Sequence, residues 1–103
     1  MIYEMRTYKL HPGKVPEFEA LIESEALPHL TKFAKLVGWW STEIGPLNEV
    51  IHLWAYEDMA QREESRKEQS EDPTLAAFRP KAQLLVVSQE NRILTPSSFS
   101  PLR

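Results

Sequence analysis

The sequence predicts an α+β fold in which one four-stranded antiparallel sheet carries its helices on one face. Two observations lead to this prediction. Four strand-length segments are rich in β-branched and aromatic residues, and the regions between them include apolar residues at helical spacing. The chain has 103 residues, of which 42% are hydrophobic and 26% charged, as is typical of one globular domain. We therefore expect a single domain over residues 1–103, with residues 97–103 as a C-terminal tail.

The N-terminal third of the chain predicts a strand followed by a helix. Residues 2–10 (IYEMRTYKL) have strand composition, and Pro12-Gly13 then predicts a turn. From Lys14 onward the apolar period becomes helical, with glutamates between the apolar positions Val15, Phe18, Leu21, Ile22 and Ala26. Pro28 predicts a kink or a second short turn in this amphipathic helix.

The middle of the chain predicts a hairpin. Residues 36–44 (LVGWWSTEI) and residues 49–56 (EVIHLWAY) predict two strands, joined by a loop longer than a two-residue turn. Trp39 and Trp40 are adjacent, so their side chains point to opposite faces of the strand. We expect one of them in the core beneath the helices and the other on the second face of the sheet.

The C-terminal half predicts a split helical region and a last strand. Asp58 and Gln61 resemble a capping box that opens the polar segment MAQREESRKEQSE, which we interpret as a solvated helix face. Pro73 starts a second, short helix, TLAAFRP, and residues 82–94 (AQLLVVSQENRIL) predict the fourth strand. The order β-α-β-β-α-β is that of a ferredoxin-like split βαβ unit.

The third predicted strand has two apolar faces, although a half-buried strand usually has one. We expect the smaller side chains to face the helices, namely Ile51, Leu53 and Ala55, together with Tyr3, Met5 and Thr7 of the first strand. The opposite face would then carry Ile2, Glu4, Arg6, Tyr8, Val50, His52, Trp54 and Tyr56. Such a face is more apolar than a monomer usually leaves in water, and a second copy would cover it. We therefore predict a homodimer formed through this sheet face.

Composition excludes several classes of partner and chemistry. The net charge of −3 and the lack of a basic run argue against nucleic acid and membrane surfaces as partners. The longest purely apolar run, residues 84–87, is too short to span a membrane. Without cysteine there is no disulfide, thiolate nucleophile or cysteine-bound metal. We expect no leader, because the N-terminal residues already have strand composition, and we expect a cytoplasmic location.

Several segments resemble one family. The blocks IYEMRTYKLHPGK, KLVGWWSTEIGPLNEVIHLWAYED, VSQENRIL and FSPL are similar to the NIPSNAP domain, and the resemblance runs from Ile2 to Leu102. It implies a dimeric α/β barrel. It implies little about activity, because no general biochemical activity is established for the family. Eukaryotic members with proposed roles in vesicle transport and mitochondria are longer, so we do not transfer those roles.

The resemblance implies three kinds of relatives at superfamily level: cofactor-free monooxygenases, muconolactone-type isomerases and haem-dependent enzymes. All of these use a pocket between sheet and helices. Fold-level similarity does not select among these reactions. Whether this protein is an enzyme therefore stays open.

His52 is the best candidate for a catalytic residue, because a pKa near neutrality would suit a general acid–base role. The alternative, which we favour, is a hydrogen-bonded histidine that bridges two subunits. Glu4 and Arg6 lie on the same strand face and either form a binding spot for a carboxylate or phosphate, or a structural ion pair. The aromatic rings of Tyr8, Trp54 and Tyr56 either stack on a flat ligand or belong to the core.

No cofactor is predicted, and the spacing of His11, His29 and His52 does not indicate a metal site. Haem needs only one axial histidine and stays open. Two hypotheses about function result. In the first, a small-molecule pocket lies between sheet and helices or at the dimer interface, lined by the candidates Glu4, Arg6, Tyr8, His52, Trp54 and Tyr56. In the second, the protein is a non-catalytic protein-interaction module.

Overall fold

A computed structural model describes residues 1–103 of the protein. The strands are β1 (Ile2–Leu10), β2 (Lys35–Ser41), β3 (Glu49–Tyr56) and β4 (Val86–Leu94), and the helices are α1 (Val15–Leu21), α2 (Leu27–Phe33), α3 (Met59–Glu71) and α4 (Pro73–Gln83). All strand pairs are antiparallel, in the order β2-β3-β1-β4. This arrangement confirms the predicted α+β fold with the ferredoxin-like order of elements.

Both ends of β2 and the start of β4 differ from the prediction. β2 spans Lys35–Ser41 instead of residues 36–44, and a bend that contains Gly45, at a φ of 130°, leads on to β3. β4 begins at Val86 instead of residue 82, because α4 continues past Pro80 to Gln83. The buried side chains of α4, Leu75 and Phe78, hold this helix against the core and outweigh the hydrogen bond lost at the proline.

The first helical region is continuous and contains an irregular turn. A π-helical turn, Ile22–Ala26, joins α1 to α2. Pro28 lies in the first turn of α2, where its missing N–H is tolerated. The predicted disturbance is therefore a widened turn just before the proline and not a break at the proline itself.

Two aspartates begin the second helical region. Asp58 Oδ1 accepts a hydrogen bond from the backbone N–H of Gln61 at 2.8 Å and caps α3. The Gln61 side chain accepts from the backbone N–H of Glu57 and not of Asp58, so the predicted capping box is displaced by one residue. Asp72 Oδ1 caps α4, because it accepts from the N–H groups of Thr74 and Leu75.

The core lies between the helices and one face of the sheet. Its buried apolar residues are Leu10, Phe18, Ile22, Ala26, Val50, Leu75, Phe78 and Leu85. Val50 therefore belongs to the face of β3 that packs under the helices, with His52, Trp54 and Tyr56. The prediction that Ile51 and Leu53 face the helices was wrong. Period two divides a strand into two sets, but the larger aromatic set is the one that fills the space below the helices.

The second face of the sheet, called here the outer face, has no helix over it. It carries Tyr3, Met5, Thr7, Trp40, Ile51, Leu53 and Ala55 and, from β4, Glu90, Arg92 and Leu94. The molecule is correspondingly thin, with extents of 39 × 36 × 19 Å. Trp39 packs against the core whereas Trp40 is 54% exposed, which confirms that the two tryptophans separate onto opposite faces. None of the helices has the length and apolar character needed to cross a lipid bilayer.

Candidate functional site

A cavity of about 480 Å³ lies between the sheet and the helices. Its floor contains all six candidates from the sequence, namely Glu4, Arg6, Tyr8, His52, Trp54 and Tyr56. The structure thus brings these residues together, but on the helix-facing side and not on a face that expects a partner. That they bind a ligand stays a prediction.

The antiparallel register of β1 and β3 explains why these side chains meet. Alternate residues of a strand share a face, and the pairing places Glu4 beside Trp54 and Arg6 beside His52. The central position of these two strands puts the cluster beneath α3 and α4. Helical residues then complete the walls, among them Arg66, Gln69, Phe78 and Arg79.

His52 lies in an aromatic enclosure and is only 4% exposed. Its ring stacks on that of Trp39 with a centroid distance of 4.1 Å and an interplanar angle of 18°. The ring of Tyr8 approaches edge-on at 4.8 Å. The indole Nε1–H of Trp54 donates to His52 Nδ1 at 2.7 Å, whereas His52 Nε2 is buried and has no hydrogen-bond partner.

These contacts determine the protonation of His52. An indole N–H is only a donor, so Nδ1 must be the acceptor and the neutral ring carries its proton on Nε2. Burial, and secondarily the positive charge of Arg6, lowers the pKa of His52 to about 3. The expectation of a pKa near neutrality was therefore wrong, as was that of a bridge between subunits, because the ring lies inside the core of its own chain.

Glu4 forms the centre of a buried ionic network and is 1% exposed. Arg62 binds it in a bidentate manner, from Nε to Oε1 at 3.0 Å and from Nη2 to Oε2 at 3.1 Å. Arg6 Nη1 and Asn91 Nδ2 donate to Oε2 at 3.0 and 3.1 Å. Burial by itself would raise the pKa of Glu4, but the hydrogen bond from Arg62 and the charges of Arg6, Arg62 and Arg66 lower it.

Arg6 is held on both sides. It pairs with Glu4, and its Nε donates to the hydroxyl of Tyr8 at 2.9 Å. The structural ion pair considered for Glu4 and Arg6 is thus present, with Arg62 as a third member. Tyr56 lies nearby, and burial together with the negative charge of Glu4 raises the pKa of its phenol.

The sequence did not indicate the helical contributors to the site. The interpretation of residues 59–71 as a solvated face was wrong for one side of α3, because Arg62 reaches down to Glu4 and Arg66 and Gln69 line the cavity. The positions 62, 66 and 69 repeat at helical spacing beside Ser65, which is buried. That repeat is a pattern that could have shown which side of this polar helix faces the sheet.

The donor set around His52 does not fit an axial haem ligand. A histidine binds iron through an unprotonated ring nitrogen, but Trp54 donates to Nδ1 and the proton therefore occupies Nε2. Ligation would require this 2.7 Å hydrogen bond to break. His29 lies elsewhere, where it pairs with Asp72 at 3.2 Å, and no three His, Asp or Glu side chains group so that they could hold a metal ion.

Fold and cavity together define an α+β protein whose chain has the fold of the dimeric α/β-barrel type, with a cavity between its one sheet and the helices above it. The family model named NIPSNAP matches residues 3–101, and the chain belongs to the NIPSNAP family.

Two solved bacterial structures are close to this one in fold. The NIPSNAP domain protein of Burkholderia xenovorans is 40% identical, with a TM-score of 0.95 and coverage of 98% of this chain and 99% of that one. A NIPSNAP family protein of Agrobacterium tumefaciens, described as of unknown function, is 38% identical with a TM-score of 0.96, over 100% of this chain and 94% of that one.

Eukaryotic relatives are longer. NipSnap homolog 3A of Homo sapiens is 35% identical over 103 residues, which is 99% of this chain and 42% of the human protein. A more distant structure, a candidate antibiotic biosynthesis monooxygenase of Bacteroides thetaiotaomicron, shares the fold at 16% identity and a TM-score of 0.70, over 99% of this chain and 93% of that one. At that identity the likeness concerns the fold alone.

Proposed function

We propose that the protein binds a small organic molecule in the cavity between its sheet and its helices. One observation carries the proposal: His52 lines the cavity, and its Nε2 is a buried donor without a partner in the protein. A buried N–H without an acceptor is costly, so such groups in native proteins are nearly always satisfied. An acceptor oxygen of a ligand in the cavity would complete the hydrogen bonding of this ring.

The dimensions of the cavity support the same proposal. Its volume of about 480 Å³ lies within the range of small-molecule sites, and ten of its 19 lining residues are hydrophobic. The competing hypothesis of a pure protein-interaction module expects His52, Glu4 and Arg6 to be satisfied without a cavity. Glu4 and Arg6 have partners, but His52 Nε2 does not.

A catalytic role would have to use a neutral imidazole. With its lowered pKa, His52 is not a general acid at neutral pH, and its Nδ1 is already engaged. A neutral N–H can still stabilise negative charge that develops on a bound carbonyl oxygen. A cofactor-free monooxygenase or isomerase activity would have to use this N–H donor. We propose only that the cavity binds a ligand.

The test is ligand binding measured with and without the imidazole. A fragment library is screened by thermal shift and by ¹H–¹⁵N NMR against the wild-type protein and His52→Phe, which keeps a ring but removes the donor. We expect fragments that shift the Trp54 indole resonance, and weaker binding of them to His52→Phe. Trp40→Phe on the outer face is the control and should bind like wild type. Equal binding of every cavity fragment to His52→Phe would overturn the proposal.

We also propose that the protein is a homodimer, formed through the outer face. The sequence predicted a dimer through the face of Glu4, His52 and Trp54, but the helices cover that face and it is not available for a second copy. A compact monomer of 12.0 kDa is expected to expose about 6,000 Å², and this chain exposes 6582 Å². The excess agrees with an apolar sheet face that a second copy covers, as closed two-fold dimers do. The cytoplasmic location inferred from the sequence stays a prediction.

Leu53 lies on the central strand of the outer face and provides the test. Leu53→Glu places a charge in the proposed interface and should give a monomer in size-exclusion chromatography with light scattering. Leu84→Glu makes the same change at a site 79% exposed outside the sheet and should leave the dimer intact. A wild-type protein that stays monomeric even at about 100 times the protein concentration used in this chromatography experiment would contradict the proposal.

A further inference from the structure

The charge of the cavity wall is unbalanced. Four charged residues line the cavity, namely Glu4, Arg6, Arg66 and Arg79. Glu4 is fully engaged by Arg6, Arg62 and Asn91. Its single negative charge is therefore shared among Arg6, Arg62 and, without a hydrogen bond, Arg66, so that the positive charge of the wall exceeds the negative charge.

Arg66 and Arg79 have no carboxylate partner. The ion pairs of the protein involve Arg6, Arg62, Lys14, Lys81 and His29, and neither Arg66 nor Arg79 takes part in one. Arg79 is partly buried and uses its Nη2 for the backbone oxygen of Gln69, at 2.8 Å, which leaves its other N–H groups available. This positive wall occurs in a chain whose net charge is −3, so it is a local feature and not a general excess of basic residues.

The remaining wall is aromatic. Phe18 and Trp39 lie 6.2 Å apart between ring centroids, and Trp39 in turn stacks on His52. Phe78 contributes a third ring from α4. Such a surface favours a planar apolar body over a branched or highly hydrated one.

We infer that the ligand is a planar aromatic carboxylate that also carries a second oxygen acceptor. In this arrangement the carboxylate lies at Arg66 and Arg79, the aromatic body lies against Trp39 and Phe78, and the second oxygen accepts the hydrogen bond of His52 Nε2. The inference rests on the proposed function and adds to it the sign of charge, the shape and the orientation of the ligand.

Guanidinium groups recognise a carboxylate through paired, charge-assisted hydrogen bonds, which makes carboxylate the expected anion here. Loss of one such contact weakens binding about tenfold or more. An ester of the same acid keeps the ring and the second oxygen but loses the charge. A comparison of the affinities of the acid and its ester therefore separates the contribution of the arginines to binding from that of the rest of the cavity.

The experiment uses matched series of compounds with the full chain. Hydroxy- and oxo-substituted benzoates and cinnamates are compared with their methyl esters and with amines of the same ring system, by ¹H–¹⁵N NMR titration. We expect the acids to bind at least about tenfold more tightly than the esters, and the amines to bind weakest. Raising the salt concentration should weaken the acids and leave the esters unchanged.

Variants of three basic residues and of His52 show which side chains bind the carboxylate. Arg66→Gln and Arg79→Gln should each weaken the acids about tenfold and change ester binding less than twofold. Lys67→Gln removes the same charge from the neighbouring position of α3, outside the cavity, and should change neither. His52→Phe should weaken acids and esters alike, because it removes the acceptor contact that both share.

The outcomes distinguish this inference from the proposed function. If esters or amines shift the Trp54 resonance as strongly as acids, or if Lys67→Gln acts like Arg79→Gln, the anionic class is wrong while the cavity remains a binding site. If no compound of any charge, in these series or in the wider fragment library, perturbs Trp54 or His52, the proposed function fails together with the inference.

Discussion

The indole Nε1–H of Trp54 donates a hydrogen bond of 2.7 Å to Nδ1 of His52, two residues earlier on the same strand face. This bond selects the tautomer of the imidazole and directs its remaining proton to Nε2, which has no partner in the protein. The arrangement converts a residue usually regarded as a proton carrier into a fixed, neutral hydrogen-bond donor. The proposed binding function depends on that conversion.

The tautomer of His52 should change when the donor is removed. Trp54→Phe keeps an aromatic ring but leaves Nδ1 as a buried acceptor without a partner, and we expect a loss of about 1–3 kcal/mol in the free energy of unfolding. The ¹⁵N shifts of the imidazole should report pure Nε2–H in wild type and a mixture in the variant. Trp40→Phe, which concerns an exposed indole on the outer face, should leave these shifts unchanged. A wild-type ring protonated at Nδ1 would contradict the assignment.

Stability should fall in mild acid because of His52. Its folded-state pKa of about 3 lies below the ordinary value of 6.5, so between these values the unfolded chain binds a proton that the folded chain does not. His52 therefore does not reduce the free energy of unfolding above about pH 6.5. Between about pH 6.5 and pH 3 the free energy of unfolding decreases as the pH falls, by up to about 1.4 kcal/mol per pH unit. Urea unfolding at pH 7.5, 6 and 5 measures the slope.

The acid range of this experiment stays above pH 5, because the pKa of Glu4 is also lowered and its contribution is lost at still lower pH. His52→Gln should flatten the slope, whereas His11→Gln, at an exposed position, should preserve it. In wild type the His52 Hε1 resonance should show no titration between pH 8 and 5. A midpoint near pH 6.5 would refute the lowered pKa, whether or not the variant folds.

Removal of the Glu4 charge should destabilise the fold. Glu4→Gln leaves Arg62 and Arg6 without their shared carboxylate, and we expect a loss of about 2–3 kcal/mol, below the full cost of a wholly buried pair because both arginines keep some solvent contact. Glu25→Gln breaks the exposed pair with Lys81 and should change stability by less than about 1 kcal/mol. Equal effects of the two substitutions in chemical denaturation would show that the buried network is unimportant.

Gly38 should matter for assembly more than for the stability of one chain. A methyl group at this position would clash with Cη2 of Trp40, so the indole must move in Gly38→Ala. Because Trp40 is 54% exposed, this movement should change the unfolding free energy of the monomer by less than about 1 kcal/mol. The dimer that we propose should dissociate more readily in analytical ultracentrifugation.

A double substitution checks the cause of that effect. In a Trp40→Leu background no indole is present to displace, so Gly38→Ala should then have no further effect on the dissociation constant. An undiminished effect in that background would mean that Gly38→Ala acts through the backbone of β2 and not through the position of the indole.

Local patterns predicted most of the fold. The bounds of β1 and β3 agree with the prediction, because strand composition and alternation are properties of adjacent residues. The end of α4 and the start of β4 were placed wrongly, since Pro80 looks like a helix end until the buried Phe78 is seen to hold that turn in place. Local propensity is weak enough for such packing to override it.

Alternation along two strands, by itself, determined that Glu4, Arg6, Tyr8, His52, Trp54 and Tyr56 form one group, and their type marked that group as a candidate site. Only the tertiary structure decided that this group lies under the helices, because a period of two is the same for either face of a sheet. It also brought Arg62, Arg66 and Arg79 from a distant part of the chain to the cavity. Contacts between residues 58 positions apart, such as Glu4 with Arg62, depend on how the layers pack, and no local pattern encodes them.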